Sequence, residues 1–191
     1  MTRIGADARI RFLFRTHDGN GLLAYTSRSG GSYLAVELVD GRLVAVSDDG
    51  SGPRYVRGGA SLADGQWHEV DITRAGPRRF LVRVDGEELD GRLHYASLPH
   101  IQHELVYVGG VPQSIMDDLP STIRSRKSYV GCMSTLVVNG RVYDLQELIE
   151  NIESTHLLSG CHICKHLSYN NIHFNIAVSY THLTLPTILR V

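Results

Sequence analysis

Apolar and polar residues alternate with a period of two in several stretches of this chain. Ile10, Phe12 and Phe14 alternate with Arg9, Arg11, Leu13 and Arg15. Leu34, Val36 and Leu38 alternate with Tyr33, Ala35, Glu37 and Val39. Val70 and Ile72 alternate with Glu69, Asp71 and Thr73, and Phe80, Val82 and Val84 with Leu81, Arg83 and Asp85. Successive side chains of a strand point to opposite faces, so this period predicts strands with one buried face. The buried set it predicts is Phe12, Phe14, Leu34, Val36, Leu38, Trp67, Val70, Ile72, Val82, Val84 and Val137. Between the runs stand Asp40-Gly41, Asp64-Gly65, Asp85-Gly86 and Asn139-Gly140. Such pairs suit type I′ hairpins, whose two central residues need positive φ. Strand, hairpin and strand, repeated with almost no helical period, predict an all-β antiparallel sandwich or barrel. The one helical candidate is short: Leu145, Leu148, Ile149 and Ile152 follow Asp144, a candidate N-cap.

A chain of 191 residues suffices for one domain with a sizeable core. Nineteen Lys and Arg stand against 20 Asp and Glu, so the total charge calls for neither nucleic acid nor an acidic partner. No apolar run has the length needed to span a bilayer. Met1-Thr2-Arg3-Ile4-Gly5 lacks the apolar stretch of a signal peptide, and the chain reads as a fragment of a longer protein. The composition changes after Cys161. His162 to Ala177 is rich in His and Asn without a period. Val178 to Thr187 resembles one reading frame of a transposase-type sequencing adaptor, so residues 162–191 are expected to be non-native or disordered and to pack poorly.

Five segments resemble the laminin G-like family. Phe14 to Thr26 ("FRTHDGNGLLAYT") resembles its opening hairpin. Ser32 to Pro53 ("SYLAVELVDGRLVAVSDDGSGP") resembles its central hairpin and the loop after it. Leu62 to Glu87 is the most specific stretch, because Asp64, Trp67, His68, Arg74, Val84, Asp85 and Gly86 all fall in register with the family pattern. Leu105 to Pro112 ("LVYVGGVP") and Tyr129 to Leu145 ("YVGCMSTLVVNGRVYDL") resemble its later strand-and-turn and closing segments. The resemblance covers about residues 8–161, with 1–7 as a truncated lead-in. The spacing is most similar to neurexin-type modules. The family's first strand or two, before the opening hairpin, are expected to be missing.

The resemblance implies a jelly-roll, concanavalin-like β-sandwich and a disulfide between Cys132 and Cys161. That bridge points to an oxidising, extracellular or cell-surface compartment. The odd Cys164 completes a Cys161-x-x-Cys164-x-His166 spacing of the kind that holds zinc. It lacks a second ligand pair and Cys161 is engaged in the bridge, so no metal site is expected there. Many family members bind calcium on one rim through an Asp before the central hairpin and an Asn or Asp before the later strand. Here those places hold Ser32 and the segment His100-Ile101-Gln102-His103, neither with a carboxylate. Asp48 and Asp49 read as a solvated turn. No cofactor is therefore expected.

Arg78, Arg79 and Arg83 form one basic cluster, and Arg124, Arg126 and Lys127 a second. Arginine's planar fork suits sulfate and carboxylate, so both clusters are candidate glycan- or partner-binding surfaces, beside the reading of ordinary surface charge. Trp67 and His68 read as a core Trp beside a rim His. No Gly-x-Ser-x-Gly nucleophile motif is present. Glu69 and Asp71 share one strand face, as a glycosidase pair would, but Thr73 and Arg74 stand where a further carboxylate is wanted. The expected function is a non-catalytic recognition or adhesion module of a cell-surface or matrix protein. It would bind a protein ligand, a sulfated glycan or both through sandwich-rim loops, with membrane attachment only through other parts of the parent protein. A glycan-active enzyme, or a carrier of an apolar ligand between the sheets, is the alternative.

Overall fold

The computed structural model describes residues 9–27, 31–76, 79–91, 93–94 and 106–143. The candidate helix after Asp144, Cys161, Cys164 and the tail lie outside these residues. Twelve strands and one short helix are described: β1 (Arg9–Arg15), β2 (Gly21–Ser27), β3 (Tyr33–Val39), β4 (Arg42–Asp48), β5 (Arg54–Gly58), β6 (His68–Gly76), β7 (Arg79–Val84), β8 (Glu87–Glu88), β9 (Leu93–His94), β10 (Val106–Val108), α1 (Gln113–Asp117), β11 (Cys132–Val138) and β12 (Arg141–Tyr143). One sheet has the order β12-β11-β1-β6-β7-β8, with β9 paired to β7, and the other β10-β2-β3-β4-β5. All strand pairings are antiparallel.

The two sheets close on one core. Ile10, Phe12, Phe14, Val70, Ile72, Phe80 and Val82 from the first meet Leu34, Val36, Leu38, Leu43, Ala45 and Val56 from the second. Burying these side chains contributes roughly 1.5–3 kcal/mol for each large one. In β1 the alternation reads through intact, with inward residues buried and outward ones half-buried.

Three sequence expectations about the strands and hairpins fail, each for a local reason. Val137 is only half-buried, while Leu136 and Val138 face the core. β11 carries an extra residue opposite the Arg11–Leu13 step of β1, and Thr135 takes φ 53° there. Such a bulge reverses the side-chain phase along the strand. Asp64-Gly65 is not a hairpin. Only Gly65 has positive φ, whereas Asp40-Gly41, Asp85-Gly86 and Asn139-Gly140 have it at both positions. The pair lies instead in the crossing from β5 in one sheet to β6 in the other.

The third concerns β3. Tyr33, Ala35 and Glu37 point away from the core yet are all buried. Residues 111–127, including α1, cover that outer face. Val111, Met116, Leu119 and Ile123 pack on Leu22, Tyr25, Tyr33, Ala35, Val46 and Tyr107. Glu37, fully buried, accepts the backbone N–H of Arg124 (3.1 Å) and Ser125 (2.6 Å), which satisfies its carboxylate. Tyr33 and Thr122 share a hydrogen bond on the same face. No helix among the described residues is long and apolar enough to cross a membrane.

Candidate functional site

Strand directions place the loops at two opposite rims. The β1–β2, β3–β4, β5–β6 and β7–β8 connections share one rim. The β2–β3, β4–β5, β6–β7 and β11–β12 connections share the other.

The first rim is cross-braced. Gly65 N–H donates to Thr16 O (2.9 Å), Gly41 N–H to Gly19 O (2.8 Å) and Leu62 N–H to Gly41 O (2.7 Å). Thr16 Oγ1 donates to Val130 O (2.6 Å), and Lys127 pairs with Asp18 at 2.7 Å. The Lys127 ammonium holds the Asp18 carboxyl below its usual range against the opposing effect of burial. At the centre lies His68, buried against the Phe14 ring, with ring centroids 5.7 Å apart. Its Nδ1 is 2.8 Å from Asp85 Oδ2 and its Nε2 3.0 Å from Asp64 Oδ1. An ionised carboxylate only accepts, so both contacts are satisfied together when the ring is doubly protonated. Burial pushes the His68 pKa down, but the bonds to Asp85 and Asp64 outweigh it and the net shift is up. The Gln66 N–H and His68 in turn hold Asp64 low.

The sequence expectation for Trp67 and His68 is reversed. Trp67 is 42% exposed, with the Arg15 guanidinium 5.0 Å from its ring centre. His68 is the buried member. The period of two fixes that adjacent residues face opposite ways, but not which of them faces in. The paired acceptors Asp64 and Asp85 turn the histidine inward.

The second rim is built differently in its β4–β5 loop. Asp48 Oδ1 accepts the N–H of Gly50 (2.8 Å) and Gly52 (3.1 Å), and Asp49 Oδ1 the N–H and hydroxyl of Ser51. These bonds stay within the loop, which is largely exposed. Ser32 lacks a carboxylate, Asp48 and Asp49 accept bonds from their own loop, and His100 to His103 lie outside the described residues.

The two predicted basic clusters belong to different parts of the sandwich. Arg79 and Arg83 lie on β7 of the first sheet, and Arg78 is outside the described residues. Arg83 pairs with Glu88 at 3.1 Å. In the second cluster, Arg126 donates to the carbonyls of Leu119 (2.9 Å) and Pro120 (3.1 Å), which fixes the covering segment. Lys127 is taken by Asp18, while Arg124 is exposed. Glu69 and Asp71 are both held by arginines of β1: Arg11 Nε donates to Glu69 Oε2 (2.7 Å), and Arg9 forks onto Asp71 (2.8 and 2.6 Å). Burial pushes Asp71 up, but the bonds from Arg9 and Thr73 carry it below the usual range.

Cys132 is disulfide-bonded, and its partner lies outside the described residues. Among the described residues no group of three or more His, Cys, Asp or Glu side chains is placed to hold a metal ion.

Two antiparallel sheets packed on one core, with loops gathered at two rims, define a β-sandwich. The laminin G domain family matches residues 14–141. Neurexin-3a of Danio rerio is 31% identical over 136 residues, covering 70% of this chain and 8% of that protein. Neurexin-2 of Mus musculus is 30% identical over 142 residues, covering 73% of this chain and 8% of that protein. Domains LG4-5 of the mouse laminin alpha1 chain superpose with a TM-score of 0.55 at 25% identity, over 76% of this chain and 39% of that one. The LG1-3 region of the laminin alpha2 chain shares the fold, with a TM-score of 0.53 at 20% identity over 75% of this chain and 30% of that one. The chain belongs to the laminin G domain family and is neurexin-like. It spans less than a tenth of the length of the neurexins it matches.

Proposed function

We propose that this chain is a recognition module of an extracellular adhesion protein, and that it binds a protein partner through the rim carrying the β4–β5 loop. The observation that supports this is the contrast between the rims. One is tied together by bonds between different loops, around His68, Thr16 and Asp18. In the other, the β4–β5 loop is largely exposed, and Asp48 and Asp49 accept bonds from Gly50, Ser51 and Gly52 of the same loop. Exposed loops held by a rigid scaffold can vary without disturbing the core, which is how binding surfaces are built. Relatives named as neurexins and laminins support the extracellular location, and the disulfide at Cys132 agrees with it.

The reading is non-enzymatic, since Glu69 and Asp71 are bound by Arg11 and Arg9. It also sets aside a carrier role, because Phe12, Phe14, Leu38, Leu43, Val56, Ile72 and Phe80 occupy the space between the sheets. A pairing of Cys132 with Cys161 is part of the proposal. The test is a binding screen of the secreted chain against extracellular protein domains, with hydrolysis of model β-glucans run in parallel. Saturable binding to a folded extracellular domain, without hydrolysis, is the expected result. Turnover of a glucan would overturn the reading.

A further inference from the structure

Three outward side chains form a row across neighbouring strands at the braced rim. Arg15 of β1 lies directly opposite Cys132 of β11. Phe14 lies opposite His68, which puts Trp67 beside Arg15 on the other flank. Directly opposite residues share a face, and Phe14 faces the core, so Arg15, Cys132 and Trp67 lie on the outer face of the first sheet. Earlier on β1 the outward Arg9 and Arg11 meet carboxylates of β6, Asp71 and Glu69. At Arg15 the same flank offers an indole: the guanidinium lies 5.0 Å from the Trp67 ring centre. On its other flank Arg15 Nη2 donates to Cys132 Sγ at 3.7 Å, a weak N–H···S bond. Cys132 is buried and disulfide-bonded, so a fixed positive charge stands against one sulfur of the bridge. The chain's other two cysteines, Cys161 and Cys164, both follow Tyr143 in sequence.

We propose that this row makes the Cys132 disulfide a redox switch, opened by a dithiol reductant while the sandwich stays folded. The inference neither uses nor needs the β4–β5 rim. A thiolate of the reductant attacks the partner sulfur, the S–S bond breaks, and its electron pair leaves on Cys132 Sγ as a thiolate. The second thiolate of the reductant then attacks the mixed disulfide and expels the partner sulfur. The bridge gains two electrons, the dithiol becomes a disulfide, and its two protons pass to the released sulfurs or to water. A thiol of lower pKa leaves faster, and a neighbouring cation lowers that pKa. The Arg15 guanidinium keeps its charge at any working pH, and the burial of Cys132 strengthens its pull on the developing thiolate. Trp67 acts through Arg15, holding the fork beside the sulfur, and is a positioning residue. Cys132 is the first residue of β11, so opening the bridge releases the covalent tie between that strand and the chain beyond Tyr143. The backbone ladder between β1 and β11 does not depend on it.

The test reduces the oxidised full chain with dithiothreitol under native conditions. Free thiols are trapped with iodoacetamide at timed intervals, Cys132 is followed by peptide mapping, and circular dichroism checks that the sandwich persists. Wild type is compared with Arg15→Gln, Arg15→Lys, Trp67→Ala and Arg11→Gln, the last removing a charge from the same face. The expected result is release of Cys132 from the folded wild type. Arg15→Gln should slow that release about three- to tenfold and Trp67→Ala should slow it less. Arg15→Lys should restore most of the rate, and Arg11→Gln should match the wild type. A merely structural role for Arg15 has the opposite sign, because loosening the site exposes the sulfur and speeds exchange. Where Arg15→Gln does not fold, Trp67→Ala carries the test in the same direction. Equal or faster release in these variants, a lysine variant as slow as the glutamine one, equal slowing by Arg11→Gln, or no release from the wild type before it unfolds would overturn the proposal.

Discussion

The phenol of Tyr129 is bonded to both backbone polar groups of Arg15. It accepts from the Arg15 N–H at 3.1 Å and donates to the Arg15 carbonyl at 2.7 Å, with the Cys132 carbonyl 2.9 Å away. Burial pushes its pKa well above the ordinary phenol value, so it stays a neutral donor. The ring packs edge-on against Phe14 at 6.1 Å. One side chain thus ends the covering segment, fixes the last residue of β1 and sets the start of β11. Tyr129→Phe should lower the unfolding free energy by about 1–3 kcal/mol, because it leaves Arg15 backbone groups without that partner. Urea denaturation measures this, and an unchanged midpoint would remove the hydroxyl's role. Gly131→Ala should cost at least as much, since its Cβ would stand 2.3 Å from the same oxygen.

The histidine cage predicts how stability varies with pH. The folded pKa of His68 is raised above 6.5, so its contribution is complete below that value and is lost as pH rises through the folded pKa. Asp64 and Asp71 are lowered from 3.8, so their contributions are present above that value and are lost as pH falls through the folded pKa. The melting temperature should therefore be highest between about pH 4 and 6.5 and decline on both sides. His68→Gln should flatten the alkaline decline while leaving the acid one. A melting temperature that rises from pH 6 to 9 in the wild type would contradict the cage.

Cys132 yields a prediction about covalent structure. If it pairs with Cys161, Cys132→Ser and Cys161→Ser should each lower stability by about 2–4 kcal/mol and reduce secreted yield, while Cys164→Ser changes little. Peptide mapping of the unreduced protein identifies the partner. A Cys132–Cys164 linkage would refute the pairing that the family resemblance implies.

Much of the sandwich could be read from residues alone, because Phe12, Phe14, Leu34, Val36, Val70, Ile72, Val82 and Val84 obey the period of two and are buried. Val137 was lost to the bulge at Thr135, a phase change that no alternation pattern announces. Glu37 misled for another reason: a charged residue at an outward position reads as solvent-facing, and only tertiary structure lays residues 111–127 over it. The short helix α1 spans Gln113–Asp117, too few residues to carry a period. Of the candidate surface residues, Arg126 and Lys127 are adjacent in sequence but serve different bonds: Arg126 holds the carbonyls of Leu119 and Pro120, and Lys127 pairs with Asp18. Such partners are set by tertiary structure and not by the order of the chain.

The proposed recognition role is assigned to the β4–β5 rim, and the most direct measurement compares the two rims against one partner. Once the binding screen supplies an extracellular domain, its affinity is measured for the wild type, for a chain with residues 49–53 replaced by a Gly-Ser loop of equal length, and for Trp67→Ala on the opposite rim. The account predicts that the loop replacement weakens binding at least tenfold, about 1.4 kcal/mol, with the melting temperature nearly unchanged, and that Trp67→Ala binds as the wild type does. Full affinity in the loop replacement, with loss in Trp67→Ala, would contradict it and move the recognition surface to the braced rim.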